Sequence, residues 1–134
     1  MGGAPGKYKP GEFTISCLNS ELLSAAKKGN LQMIKDCLRL GANINVKNEW
    51  GGTPLYLACQ YQHIDSARHL ILSGAKMRIK TNSGRVPFDI AILTENETLI
   101  QMLEKYNANK DVEPSPTLLR QLLEKFVIYT YSNL

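Results

Sequence analysis

The sequence predicts an all-α solenoid of stacked helix–turn–helix units with projecting hairpins, closed by an amphipathic helix near the C-terminus. Three observations predict it. The chain matches itself when shifted by 33 residues, without a gap, through three units. Within each unit, small and apolar residues recur at helical spacing, and turn residues fall at the same place each time. Ala25 falls on Ala58 and Ala91, Leu22 on Leu55 and Phe88, and Gly41-Ala42 on Gly74-Ala75 and Asn107-Ala108. Ile34 falls on Ala67 and Ile100, and Cys37 on Leu70 and Leu103.

The middle unit gives the plan of all three. Thr53-Pro54 opens its first helix: Thr can cap it, and Pro suits the first turn because its missing N–H would have no partner there. Leu55, Ala58 and Cys59 line one face of that helix. Gln62-His63 breaks the run, and a second helix follows from Ile64 to about Ser73 with Ala67, Leu70 and Ile71 inward. Gly74 ends it as a left-handed cap. From Ala75 to Gly84 the chain is polar and turn-rich, as a projecting hairpin requires. Small residues on each first helix (Ala25-Ala26, Ala58-Cys59, Ala91) let neighbouring units approach closely.

The string Gly-Gly-Thr-Pro-Leu-Tyr-Leu-Ala-Cys over Gly51–Cys59 resembles the ankyrin signature Gly-x-Thr-Pro-Leu-His-x-Ala-Ala, and His63, Gly74-Ala75 and the period complete the match. The resemblance covers about Asn19 to Asn109 and implies a rigid interaction scaffold with a concave face of hairpin tips and first helices. The first unit lacks Thr-Pro and opens Asn19-Ser20-Glu21-Leu22, as N-terminal capping repeats do. In the third, Val86 stands for Thr, Thr94-Glu95-Asn96 for the Gly-His turn and Asn107 for Gly. A weakened last repeat is expected where a stack meets water. The run Asn48–Cys59 is also similar to the opening of ankyrin/BTB adaptors for ubiquitin ligases, although no BTB domain accompanies it. Asn45 resembles the hairpin asparagine that is hydroxylated in some ankyrin proteins. The expected organisation is a tail over 1–18, repeats over 19–48, 49–81 and 82–112, and a Pro-rich linker with a capping helix over 113–134. In that last segment Leu118, Leu119, Leu122, Leu123, Phe126 and Val127 form a stripe opposite Arg120, Glu124 and Lys125.

The chain has 134 residues, 43% of them hydrophobic, which suits a soluble globular core. No stretch approaches the roughly 18 apolar residues of a membrane span, and the N-terminus lacks the apolar run of a secretory signal. Three widely spaced cysteines (Cys17, Cys37, Cys59) fit neither a disulfide framework nor a zinc site. Reduced thiols imply cytosol or nucleus. No phosphate-binding glycine loop, His-Glu-x-x-His or Gly-x-Ser-x-Gly is present, so no enzyme activity and no cofactor are expected. Net charge is +4 but uneven: Ser24–Arg85 carries ten basic against three acidic residues, and Val86–Leu134 four against seven.

Candidate partner-binding residues are those that the resemblance places on solvent-facing tips and first helices: Trp50, Tyr61, Arg85, Lys47, Lys80, Glu49, Gln60, Lys27 and Lys28, with Gly52, Asn82 and Ser83 beside them. Trp, Tyr and Arg dominate interface hot spots, and a hairpin tip has no packing need for the ring of Trp50. His63 reads as a turn residue, and Cys37 and Cys59 as buried, inert thiols. The expected partner is another protein with an acidic or amphipathic segment, drawn in by the cations. Nucleic acid is the weaker alternative, because single-strand binding calls for more stacking aromatics than this region holds. Pairing of two copies through 117–134 is a third.

Overall fold

The structure is a computed structural model that describes residues 14–107. The expected linker, the capping helix and any dimer face over 113–134 lie outside the described residues, as does most of the expected tail. Six helices follow in order: α1 (Ile15–Lys28), α2 (Leu31–Arg39), α3 (Pro54–Gln60), α4 (Ile64–Leu72), α5 (Pro87–Leu93) and α6 (Glu97–Asn107). They form three helix–turn–helix units. The first helices pack on one another, α1 on α3 and α3 on α5, and the second helices do the same, α2 on α4 and α4 on α6. This is the all-α repeat solenoid that the period predicts. Among the described residues no strand forms; the projections between units are loops closed by turns.

The period is also the period of burial. Leu22, Leu55, Ala25, Ala58, Ala91, Ile34, Ala67, Cys37, Leu70 and Leu103 are all buried. Alanine at the repeated position of α1, α3 and α5 keeps the interhelical gap small enough for larger side chains on either side to interdigitate. Phe88 and Ile100, in the last unit, are half-buried where the first two units bury Leu22 and Leu55, and Ile34 and Ala67.

One boundary differs. The first helix begins at Ile15 rather than after the expected tail boundary at 18, and Thr14 Oγ1 accepts from Cys17 N at 3.1 Å to cap it. The shift-and-match reading cannot see this extra turn, because it has no counterpart in the other units. The turn nonetheless buries Leu18, one helical turn before Leu22 on the same face.

Caps follow the local sequence. Thr53 is buried, and its Oγ1 accepts from Tyr56 N at 3.2 Å. Val86 has no acceptor to offer at the equivalent place in α5. There Asp89 compensates, its carboxylate accepting from Val86 N at 2.9 Å. Replacing Thr53 with Ala should therefore lower stability by about 0.5–2 kcal/mol, read as a fall in thermal midpoint. No change would mean that another group takes over the Tyr56 N–H.

The interhelical turn has one conformation in all three units, with positive φ at Gly29 (73°), Gln62 (62°) and Glu95 (55°). Glycine is demanded only at the first. A Cβ on Gly29 would lie 2.4 Å from the His63 ring, which leans back from the second unit. His63 Nε2 donates to the Lys27 carbonyl at 2.9 Å, so the ring ties the first two units together. In the third unit Asn96 takes over the tie: its Nδ2 donates to Gln62 Oε1 at 3.2 Å, and its Oδ1 caps α6 at Leu99 N at 3.1 Å. The turn geometry thus survives the loss of Gly-His.

Candidate functional site

The side that carries the candidate site is built from α1, α3 and two loop tips. Each tip closes on itself. Asn48 N donates to Gly52 O at 2.9 Å and Gly51 N to Asn48 O at 3.0 Å; in the next tip Thr81 N donates to Arg85 O at 2.8 Å. Asn48 Oδ1 also accepts from Trp50 N (2.9 Å) and Gly52 N (2.8 Å), which fixes the backbone under the indole. The tips are then joined to each other. Asn82 N donates to Trp50 O at 2.9 Å, and Asn82 Nδ2 to Glu49 O at 3.1 Å. Nearer the base, Asn45 Oδ1 accepts from Lys76 N at 2.9 Å. The Asn45 side chain is therefore part of the ladder between successive loops.

Between tips and helices runs a groove with a volume of ≈ 590 Å³. Four of the sequence-predicted residues line it: Trp50, Tyr61, Gln60 and Lys27. Trp50 is 68% exposed and Tyr61 44%, large fractions for rings of this size. The Lys27 ammonium lies 5.6 Å from the centroid of the Tyr61 ring, within cation–π range. Gly52 and Ser83 line the groove as well. The other predicted residues (Lys28, Lys47, Glu49, Lys80 and Arg85) are exposed but do not line it.

Arg85 has a different task. Its guanidinium acts on the hydroxyl of Tyr56, a buried residue. Burial pushes that hydroxyl above the usual tyrosine value, and Arg85 works in the opposite direction. In sequence Tyr56 is marked only as the residue standing at the place of the signature histidine. It is in fact a wall of the groove. Leu23 and Leu57 were missed as groove residues, although a signal was present: they stand on the same helical face as Lys27 and Gln60, one turn earlier.

The remaining reactive groups are structural. Cys37 and Cys59 are buried, and burial raises the Cys59 thiol far above its ordinary value, which suppresses the thiolate that nucleophilic chemistry needs. Cys17 is half-buried. Among the described residues no group of three or more His, Cys, Asp or Glu side chains could hold a metal ion. None of the described helices is long and apolar enough to cross a membrane.

The chain matches the model for ankyrin repeats (3 copies) over residues 22–114. It is 32% identical over 91 residues to the putative ankyrin repeat protein YahD of Escherichia coli, covering 68% of this chain and 45% of that one. It is 38% identical over 69 residues to protein phosphatase 1 regulatory subunit 27 of Mus musculus, covering 52% and 45%. It is 27% identical over 105 residues to human SH3 and multiple ankyrin repeat domains protein 2, covering 75% of this chain and 6% of that protein. The chain thus spans less than half the length of these relatives. The 33-residue period, the capped Thr53-Pro54 turn, the stacked helix pairs and the family match agree: the chain belongs to the ankyrin-repeat family.

Proposed function

We infer that this chain is a non-catalytic interaction module that holds a segment of a partner protein in the groove between its tips and first helices. The observation that carries the reading is Trp50. Its ring is mostly exposed, yet its backbone is fixed by two hydrogen bonds: its N–H donates to Asn48 Oδ1 and its carbonyl accepts from Asn82 N, with the turn from Gly51 N to Asn48 O closing around it. A stack gains nothing from an indole in water, whereas a rigid exposed aromatic gives an interface contact area at little entropic cost. Ankyrin repeats generally serve protein–protein interaction, and the names of two relatives, a phosphatase regulatory subunit and a multidomain repeat protein, support the same class. The charge of the surrounding region favours acidic or amphipathic partners over basic ones, chiefly through the encounter rate. The free cysteines support an intracellular site of action, in cytoplasm or nucleus.

The test is affinity capture from cell lysate with the wild-type chain beside a Trp50→Ala/Tyr61→Ala variant, both checked by circular dichroism. The expected result is a folded variant that loses at least one partner by about tenfold or more, since truncating a hot-spot aromatic costs upwards of about 2 kcal/mol. Equal capture of every partner by both proteins would move function off the groove. Capture that decays steeply with salt and needs only nucleic acid would favour the anionic-polymer reading instead.

A further inference from the structure

The groove is unevenly furnished, and the imbalance says what kind of segment it takes. Its walls are apolar: Leu23 and Leu57 below, Tyr56, Trp50 and Tyr61 around them. One charged residue lines it, Lys27, and no carboxylate does. The Lys27 ammonium stands at the face of Tyr61, 5.6 Å from the ring centroid. The other cations of the two tips, Lys47, Lys80 and Arg85, lie outside the lining, and Arg85 acts on the Tyr56 hydroxyl. The basic character of this half of the chain therefore reaches the groove as a single positive charge on an aromatic wall.

A run of carboxylates is a poor occupant for such a site. One would meet Lys27, and the rest would lose water against Leu23, Leu57 and the rings without gaining a partner. A purely apolar segment would leave Lys27 unmatched. The complementary ligand carries one large apolar side chain for the slot and one carboxylate for Lys27. Lys27 stands against the aromatic wall itself, so the apolar side chain and the carboxylate must come from neighbouring residues of an extended segment, which advances about 3.3 Å per residue.

Resting on the interaction reading above, we propose that the groove between Trp50, Tyr61 and Lys27 recognises an extended peptide segment in which an aromatic or large aliphatic residue is followed or preceded, within two positions, by a single Asp or Glu. Lys27 then sets the sign of the neighbouring charge and the aromatic pair sets the anchor. The Lys27 side chain is exposed and can be exchanged without disturbing the tie between units, because that tie uses its backbone carbonyl, as the acceptor for His63, and the exchange removes the cation–π contact with Tyr61.

The experiment is selection from a random linear peptide library displayed on phage, using the full chain and its Lys27→Glu, Lys27→Met and Trp50→Ala variants, each checked by circular dichroism. Wild type should enrich sequences with the apolar–acidic pair. Lys27→Glu should enrich an apolar–basic pair, Lys27→Met should keep the apolar anchor without a charge preference, and Trp50→Ala should bind the wild-type peptides about tenfold or more weakly. The selected peptides should lose less than about tenfold in affinity on going from low to high salt, as a single exposed ion pair requires. Enrichment of acidic runs lacking an apolar residue, no enrichment, or an acidic preference that survives in Lys27→Glu overturns the proposal. A partner lost from the Trp50→Ala/Tyr61→Ala variant whose bound segment lacks the pair sinks this inference and leaves the interaction reading standing. Capture that never depends on the groove sinks both.

Discussion

Replacing Leu55 with Ala is expected to cost about 2–5 kcal/mol and to turn a stable stack into a marginal one. Leu55 is fully buried on α3, the helix that packs on α1 before it, α5 after it and α4 beside it. In a repeat array, stability is roughly a sum of weak single units and strong interfaces between neighbours. The helix α3 belongs to both interfaces, so a cavity at its core weakens the packing that couples the middle unit to its neighbours. Small proteins have about 5–15 kcal/mol in total, so the loss is a large share of the whole. Urea unfolding followed by far-ultraviolet circular dichroism reads the effect as a lower midpoint. Truncating Ile100, half-buried at an end of the described stack, should cost clearly less. A loss below about 1 kcal/mol at Leu55 would mean that the site collapses around the missing atoms, and that the middle unit is not the keystone of the stack.

What the sequence makes legible is whatever repeats. A side chain packed between neighbouring units must suit the same environment every 33 residues, so Ala25, Ala58 and Ala91 announce both the core and the helical face that forms it. Thr53 as a cap, and His63 as a turn residue rather than a reactive one, were readable for the same reason. Single features leave no such trace. The extra turn of α1 that buries Leu18 has no partner at the period, and the compensation of Val86 by Asp89 swaps one chemistry for another. The groove lies between these cases. Its helical residues share the phase of Lys27 and Gln60, so Leu23 and Leu57 follow from geometry once the helices are placed. Its tip residues do not. Whether Arg85 faces the groove or the Tyr56 hydroxyl depends on how two loops bond to each other, and nothing local in sequence encodes that.

The loop-to-loop bonds lead to the second large effect: Gly51→Ala should destabilise the fold by about 2–4 kcal/mol and weaken groove binding while leaving every groove side chain present. Gly51 has φ of 81°, a region that costs an L-residue about 1–2 kcal/mol. A Cβ there would lie 2.7 Å from Asn82 Oδ1 and 2.8 Å from Asn82 N. The first contact is with a side chain and can be relieved by rotation. The second is with backbone and can be relieved only if the two tips separate, which breaks the bond from Asn82 N to Trp50 O at a further cost of about 1 kcal/mol. Trp50, next in the chain, then loses the support that aims its ring. On the interaction reading, affinity for a ligand captured by the wild type should fall about as far as in Trp50→Ala, although the indole is still there. The double variant Gly51→Ala/Asn82→Ala separates the two contacts, because it removes Oδ1 but keeps the backbone N–H. If backbone collision is the cause, the double variant stays as unstable and as weak as Gly51→Ala, by thermal melt and by titration of the same ligand. Recovery in the double variant would place the fault in one amide side chain, and the tips would then not be the rigid platform on which the function of Trp50 depends.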